Sequence, residues 1–225
     1  MPSPLYLDTG RFGQTTVNAQ AAQRDFVRFT GEEGLTLYTQ MFLREGFQAW
    51  PDELQRRYPG LRHWRGINEF RGALRRFAGA DPDCRIHIAA RTTQLMKSAA
   101  RLLTTRCKSI LCTDLSWPHY GCLLRRAARR RGGRLVQISL NDSILIKRVS
   151  VERIVNHIVE RFARHGCDGL FLPVVSHQGI RLPVNDIVDR LNQVRPVRCV
   201  VLDGAQAFAH VPFDGILSRC DMYIA

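Results

Sequence analysis

From about residue 85 to the end of this 225-residue chain, short apolar runs alternate with stretches of helical periodicity, and no other feature constrains the fold as much. Strands joined through helices must run parallel, because a crossover long enough to hold a helix returns the chain to the same end of the sheet. The fold class is therefore α/β with a mainly parallel sheet. The predicted strands are RIHIAA at 85–90, SILCT at 109–113, RLVQIS at 134–139, GLFLPVV at 169–175, RCVVLD at 198–203 and DMYIA at 221–225. The clearest predicted helix is 151–165. There Val151, Ile154, Val155, Ile158, Val159 and Phe162 recur at helical spacing between a capping Ser150 and a stop at Gly166. Residues 17 to 80 read as helical and more polar, interrupted by Gly46 and Pro51, so the chain divides into an N-terminal helical segment (1–80) and an α/β part (81–225).

Composition narrows the function classes. No stretch of about 18 apolar residues is present, and MPSPLYLDTGRFGQ has neither the charged head nor the apolar core of a signal peptide, so the expected location is the cytoplasm. The seven cysteines form no CxxC pair and no ligand spacing with histidine, and are expected to be reduced and mostly buried. The net charge of +13 rests almost entirely on arginine, since the only lysines are Lys97, Lys108 and Lys147. The densest cluster is GCLLRRAARRRGGRL. On a helix, Tyr120, Leu123, Leu124, Ala127 and Ala128 share one face, and Arg125, Arg126, Arg129 and Arg130 the other. A solvated amphipathic helix accounts for this pattern without nucleic acid. A basic interaction module, or a noncatalytic protein, is the alternative reading of the chain.

Ligands of open parallel sheets bind beyond the carboxyl ends of the strands, so the residues just after each run carry the functional reading. Arg91, Thr92 and Thr93 follow the first run at the start of a predicted helix, where free N–H groups and two hydroxyls suit a phosphate. Trp117 follows the second run, placed to stack on a planar ring. Ser176, His177 and Gln178 follow the fourth. Taken singly, the threonines read as a helix cap, Trp117 as core, and Ser176 with His177 as a loop without the GxSxG elbow of a hydrolase. Asp203, which ends the fifth run in VVLDGAQAFAHVP, resists so simple a reading, because a buried carboxylate costs several kcal/mol unless a cation meets it.

VLDGAQAFAHVPFD, together with VVSHQGIRLPV, ARTTQLMKSA and YLDTGRFG, resembles the class V aminotransferase family of pyridoxal-phosphate (PLP) enzymes, over residues 5 to 225 and in the same order. The resemblance implies the large domain of the PLP-dependent transferase fold, fold type I. It implies pyridoxal 5′-phosphate as cofactor, a small-molecule amino substrate, and a homodimer when full length. It matches Asp203 to the aspartate that pairs with the cofactor's protonated ring nitrogen and Gln206 to a contact of its phenolic oxygen. Thr92 and Thr93 match the phosphate turn, Trp117 the ring-stacking position and Gln178 a second contact on the phenolic side. The family's cofactor-binding lysine lies a few residues beyond the strand matched by DMYIA. The resemblance therefore implies the N-terminal part of a longer enzyme, with the C-terminal small domain absent, open to transamination, epimerisation or β-elimination.

Overall fold

The computed structural model describes residues 13–34 and 36–225, so most of YLDTGRFG lies outside the described residues. The chain forms two compact units, Met1–His87 and Ile88–Ala225.

In the first unit, α1 (Val17–Glu32), α2 (Leu37–Glu45), α3 (Asp52–Arg57) and α4 (Ile67–Ala78) follow the punctuation of the sequence. The Thr16 hydroxyl caps α1 by accepting from Ala19 N at 3.2 Å, Gly46 closes α2, and Pro51 precedes α3. Gly46 has φ +97°, and a Cβ there would lie 2.6 Å from the Arg65 backbone, so this crossing of two chain segments admits only glycine. The core is aromatic: Phe29, Phe42, Trp50 and Tyr58 are buried, with Phe42 stacked on Trp50 at 4.6 Å.

The second unit is a five-stranded, fully parallel sheet in the order β2-β1-β3-β4-β5. Its strands are β1 (Ser109–Thr113), β2 (Arg134–Ile138), β3 (Gly169–Pro173), β4 (Cys199–Asp203) and β5 (Met222–Ile224). The register pairs Ser109 with Arg134, Ile110 with Gly169, Gly169 with Cys199, and Val201 with Met222. The helices are α5 (Thr92–Arg106), α6 (Pro118–Arg130), α7 (Asn141–Leu145), α8 (Val151–Arg164) and α9 (Val184–Val194). Because side chains alternate across a strand, β1, β3 and β4 are buried on both faces. Ile110, Cys112, Phe171 and Val201 meet Met96, Ala99 and Leu103 of α5 and Leu124 of α6. Leu111, Leu170, Leu172 and Leu202 meet Ile158 and Phe162 of α8 and Leu191 of α9. Each such buried side chain contributes about 1.5–3 kcal/mol. The helix predicted at 151–165 is observed at Val151–Arg164, with the Ser150 hydroxyl accepting from Arg153 N and Gly166 at φ +55°; Val151 alone of its stripe is exposed.

One predicted strand does not form. Residues 85–90 are irregular and mostly exposed, and Ile88 keeps 49% of its surface in water. A strand exists only by sharing its N–H and C=O groups with a neighbour, and no described residue supplies that ladder. Alternation of Ile86 and Ile88 with Arg85 and His87 is thus insufficient without a partner edge. Of the seven thiols, Cys107, Cys112, Cys167 and Cys199 are buried, Cys84 and Cys122 are exposed, and none is joined to another. Among the described residues, no helix is long and apolar enough to cross a membrane.

Candidate functional site

The chain moves from β1 outward to β2 and then returns to the other side of β1 with β3, so the order reverses between β1 and β3. At such a switch point the two following loops part in opposite directions and leave a crevice at the carboxyl ends of the strands. A cleft of about 180 Å³ lies there, lined by Leu115 and Trp117 after β1, Val175 and His177 after β3, and Asp203 and Gln206 at the end of β4. Tyr120, in the first turn of α6, completes it.

Asp203 follows Val201 at a spacing of two and so shares the face covered by α5 and α6. It is 7% exposed. Among the described residues its carboxylate accepts from Ala205 N, at 3.1 Å to Oδ1 within the same turn, and no cation pairs with it. Burial pushes its carboxyl pKa upward, and the Ala205 N–H offsets this in part. The turn is tight. Gly204 N donates to Ile224 O at 2.6 Å, and a Cβ on Gly204 would lie 1.9 Å from the Tyr223 ring, so any larger residue must displace that ring. Tyr223 is itself pushed up to about 12, by burial first and then by the charge of Asp203.

Tyr120 ties α6 to both ends of the predicted constellation. Burial raises its pKa, the Asp203 charge raises it further, and a side-chain hydrogen bond with Thr92 opposes them. Thr92 opens α5, a helix whose N-cap residue, Arg91, makes no capping bond, so first-turn N–H groups are left for another acceptor. Thr93 is half-buried beside it and does not line the cleft.

The structure thus brings Trp117, Asp203 and Gln206 into one cleft, with Thr92 behind Tyr120. Gln178 lies elsewhere: its amide donates to Asn141 Oδ1 at 3.1 Å, and it does not line the cleft. Ser176 is a builder of its turn, fully buried and accepting from Gln178 N at 3.2 Å and Ile180 N at 3.1 Å. Tyr120 and His177 line the cleft although the sequence assigned the first to a helix's apolar face and the second to a loop. The signal for Tyr120 was its place in the first turn of a helix that follows a strand end. A larger hollow of about 470 Å³ beside the start of α9 is mostly apolar, with its Arg181–Asp214 ion pair already closed at 2.6 Å. It contains no unpaired buried charge comparable to Asp203.

No family model matches the sequence, and no curated protein matches it. Solved structures do. One is the cystine C-S lyase C-DES in complex with its reaction product cysteine persulfide, 17% identical with a TM-score of 0.62, covering 96% of this chain and 51% of that one. A lysine-to-alanine variant of C-DES, with glycine covalently linked to its PLP cofactor, is 16% identical with a TM-score of 0.60 and covers 96% and 50%. The SepCysS–SepCysE N-terminal domain complex is 11% identical with a TM-score of 0.53, covering 91% and 47%. The chain spans about half the length of the solved structures it matches. The likeness is one of fold: this chain has the α/β architecture of fold type I PLP-dependent enzymes, as its resemblance to class V aminotransferases implied.

Proposed function

We propose that the cleft holds pyridoxal 5′-phosphate and that the protein serves amino-group chemistry on a small amino acid or related amine. The observation that carries this reading is Asp203, a buried carboxylate in the switch-point cleft with no cation among the described residues to meet it. A protonated pyridine nitrogen is the cation such a carboxylate lacks, and the fold likeness to PLP-dependent enzymes supports the same ligand. The donor set fits the rest of the group. The uncapped first turn of α5 with Thr92 and Thr93 would hold the phosphate, Gln206 the phenolic oxygen, and Trp117 one face of the ring.

When bound, the cofactor supplies an electron sink for a bond broken at the substrate's α-carbon. Asp203 would keep the ring nitrogen protonated, because ion pairing opposes the upward push that burial gives its carboxyl. Trp117 and Tyr120 line the cleft around that carboxylate, Trp117 with half of its surface still in water. Transamination, epimerisation and β-elimination all draw on this arrangement, and we place the protein in a reducing compartment, the cytoplasm, with a homodimer as the active assembly.

Titration of the purified chain with pyridoxal phosphate, followed by equilibrium dialysis and the cofactor's visible absorption, tests the reading. We expect reversible binding, weakened at least tenfold by Asp203→Ala. Borohydride reduction should leave no specific pyridoxyl group on Lys97, Lys108 or Lys147, which are all exposed and none of which lines the cleft. Equal affinity in Asp203→Ala would overturn the assignment.

A further inference from the structure

The mouth of the cleft holds a group that the cofactor reading leaves unused. His177 Nδ1 lies 3.3 Å from Leu115 O. A carbonyl oxygen only accepts, so Nδ1 carries the proton, and in the neutral ring Nε2 is left as a bare acceptor. The ring is held a second time by Trp117, edge to face at 5.6 Å and 85°. Both contacts come from the loop after β1, while the backbone of His177 belongs to the loop after β3, so the imidazole bridges the switch point. The titratable groups facing it in the cleft are Tyr120 of α6 and Asp203 of β4. Asp114, in the adjoining loop, is turned instead to Leu140 N, at 2.7 Å, and to Asn141 N. Asp203 is committed to the ring nitrogen in the reading above, and burial pushes the phenol of Tyr120 upward. No lysine or arginine lines the cleft among the described residues.

An amine substrate arrives at neutral pH as an ammonium ion, which has no lone pair with which to attack an aldehyde. We propose that His177 is the proton acceptor for the incoming amine: Nε2 takes one proton from the substrate's ammonium group, leaving a neutral amine and an imidazolium. The imidazolium returns that proton to solvent, to which the exposed side of His177 is open. No electron changes hands. Imidazole is the side chain that ordinarily exchanges its proton near neutrality, which suits it to this step, and positioned proton transfer of this kind contributes about 10²–10⁴-fold in rate.

The proposal rests on the cofactor reading, and its test separates the two. The chain is saturated with pyridoxal phosphate, glycine is added, and the rate of the visible absorbance change is followed across the histidine range of pH. We expect the wild-type rate to rise with pH and then level off. His177→Gln should lower it at least about 30-fold and remove the levelling, while cofactor affinity stays within twofold. Free imidazole should restore part of the rate in His177→Gly. A wild-type rate and pH profile in His177→Gln would overturn the proposal, as would a loss of cofactor affinity matching the loss of rate, which marks a packing role. ¹⁵N-histidine spectra of the cofactor-free chain, assigned with the same variant, should show the Nδ1–H tautomer; an Nε2–H tautomer overturns the proposal without any cofactor present. A wild-type chain that does not bind pyridoxal phosphate removes the cofactor reading and this step together.

Discussion

At the amino ends of the strands, Asp168 accepts from Lys108 N at 3.0 Å and Ser109 N at 2.9 Å, and faces Arg198 at 4.0 Å. Asp221, at the same end of the sheet before β5, accepts from Val200 N at 2.9 Å and pairs with Arg106. At the carboxyl ends of the same sheet, Asp203 is buried as deeply as Asp168, at 7% exposure each, and has one short-range N–H. Two carboxylates in one layered unit thus serve different ends. Asp168 stitches β1 to β3 and stabilises the fold, while Asp203 is held in an environment that disfavours its charge.

Four substitutions can break or sharpen this contrast. The largest effect is expected from Gly204→Ala, which drives a methyl group into Tyr223 and destabilises the unit by about 3–4 kcal/mol. Denaturant unfolding should detect it, and Tyr223→Ala in the same chain should recover part of the loss. Asp168→Ala leaves two amide N–H groups without their acceptor and should cost about 2–3 kcal/mol by the same measurement. A cost under about 0.5 kcal/mol would show that the amino-end carboxylate is no more structural than Asp203.

Asp203→Asn should act in the opposite direction. The folded-state pKa of Asp203 is raised, so its contribution to stability is full below the unfolded-state value and is lost as pH rises through the folded-state value. The amide removes that loss. We expect a flatter stability profile from acid to neutral pH and a gain of about 1 kcal/mol at neutrality, as is common when a functional group is sacrificed. Destabilisation at neutral pH would mean that Asp203 is satisfied without a ligand. The smallest effect is expected from Ala209→Gly. Ala209 has φ +62°, a conformation costly for any residue with a Cβ, and releasing it should stabilise by about 0.5 kcal/mol net of glycine's entropy, read as a small rise in melting temperature.

Where local physics decides, the sequence was legible. The stripe of α8, its Ser150 cap and its Gly166 stop follow from spacing, and five of the predicted strands follow from short apolar runs, three of which the sheet buries on both faces. Asp203 was legible because a carboxylate at the end of a buried run is anomalous by itself. Partnership across the fold was not legible. Residues 85–90 carry a strand's alternation, but pairing is a property of two segments. His177 reads as a loop residue until Leu115, distant in sequence, fixes its ring, and Tyr120 reads as core because helical periodicity does not say which end of a helix meets a cleft. Gln178 was drawn toward the site by its position in the motif, and Asn141 holds its side chain elsewhere.

The reversal of strand order has a kinetic side. β1 finds β2 across the short closure from Ser109 to Arg134, and β4 finds β5 from Val201 to Met222, whereas the seam between β1 and β3 must wait for the closure from Ile110 to Gly169. Each doubling of a loop adds about 0.6 kcal/mol to the entropy of closing it, and nonlocal pairings slow folding. The β1–β3 seam therefore carries the largest closure entropy of the sheet, and the cleft stands above it. The carboxylate of Asp203 thus faces a cleft that stands over the costliest closure in the sheet.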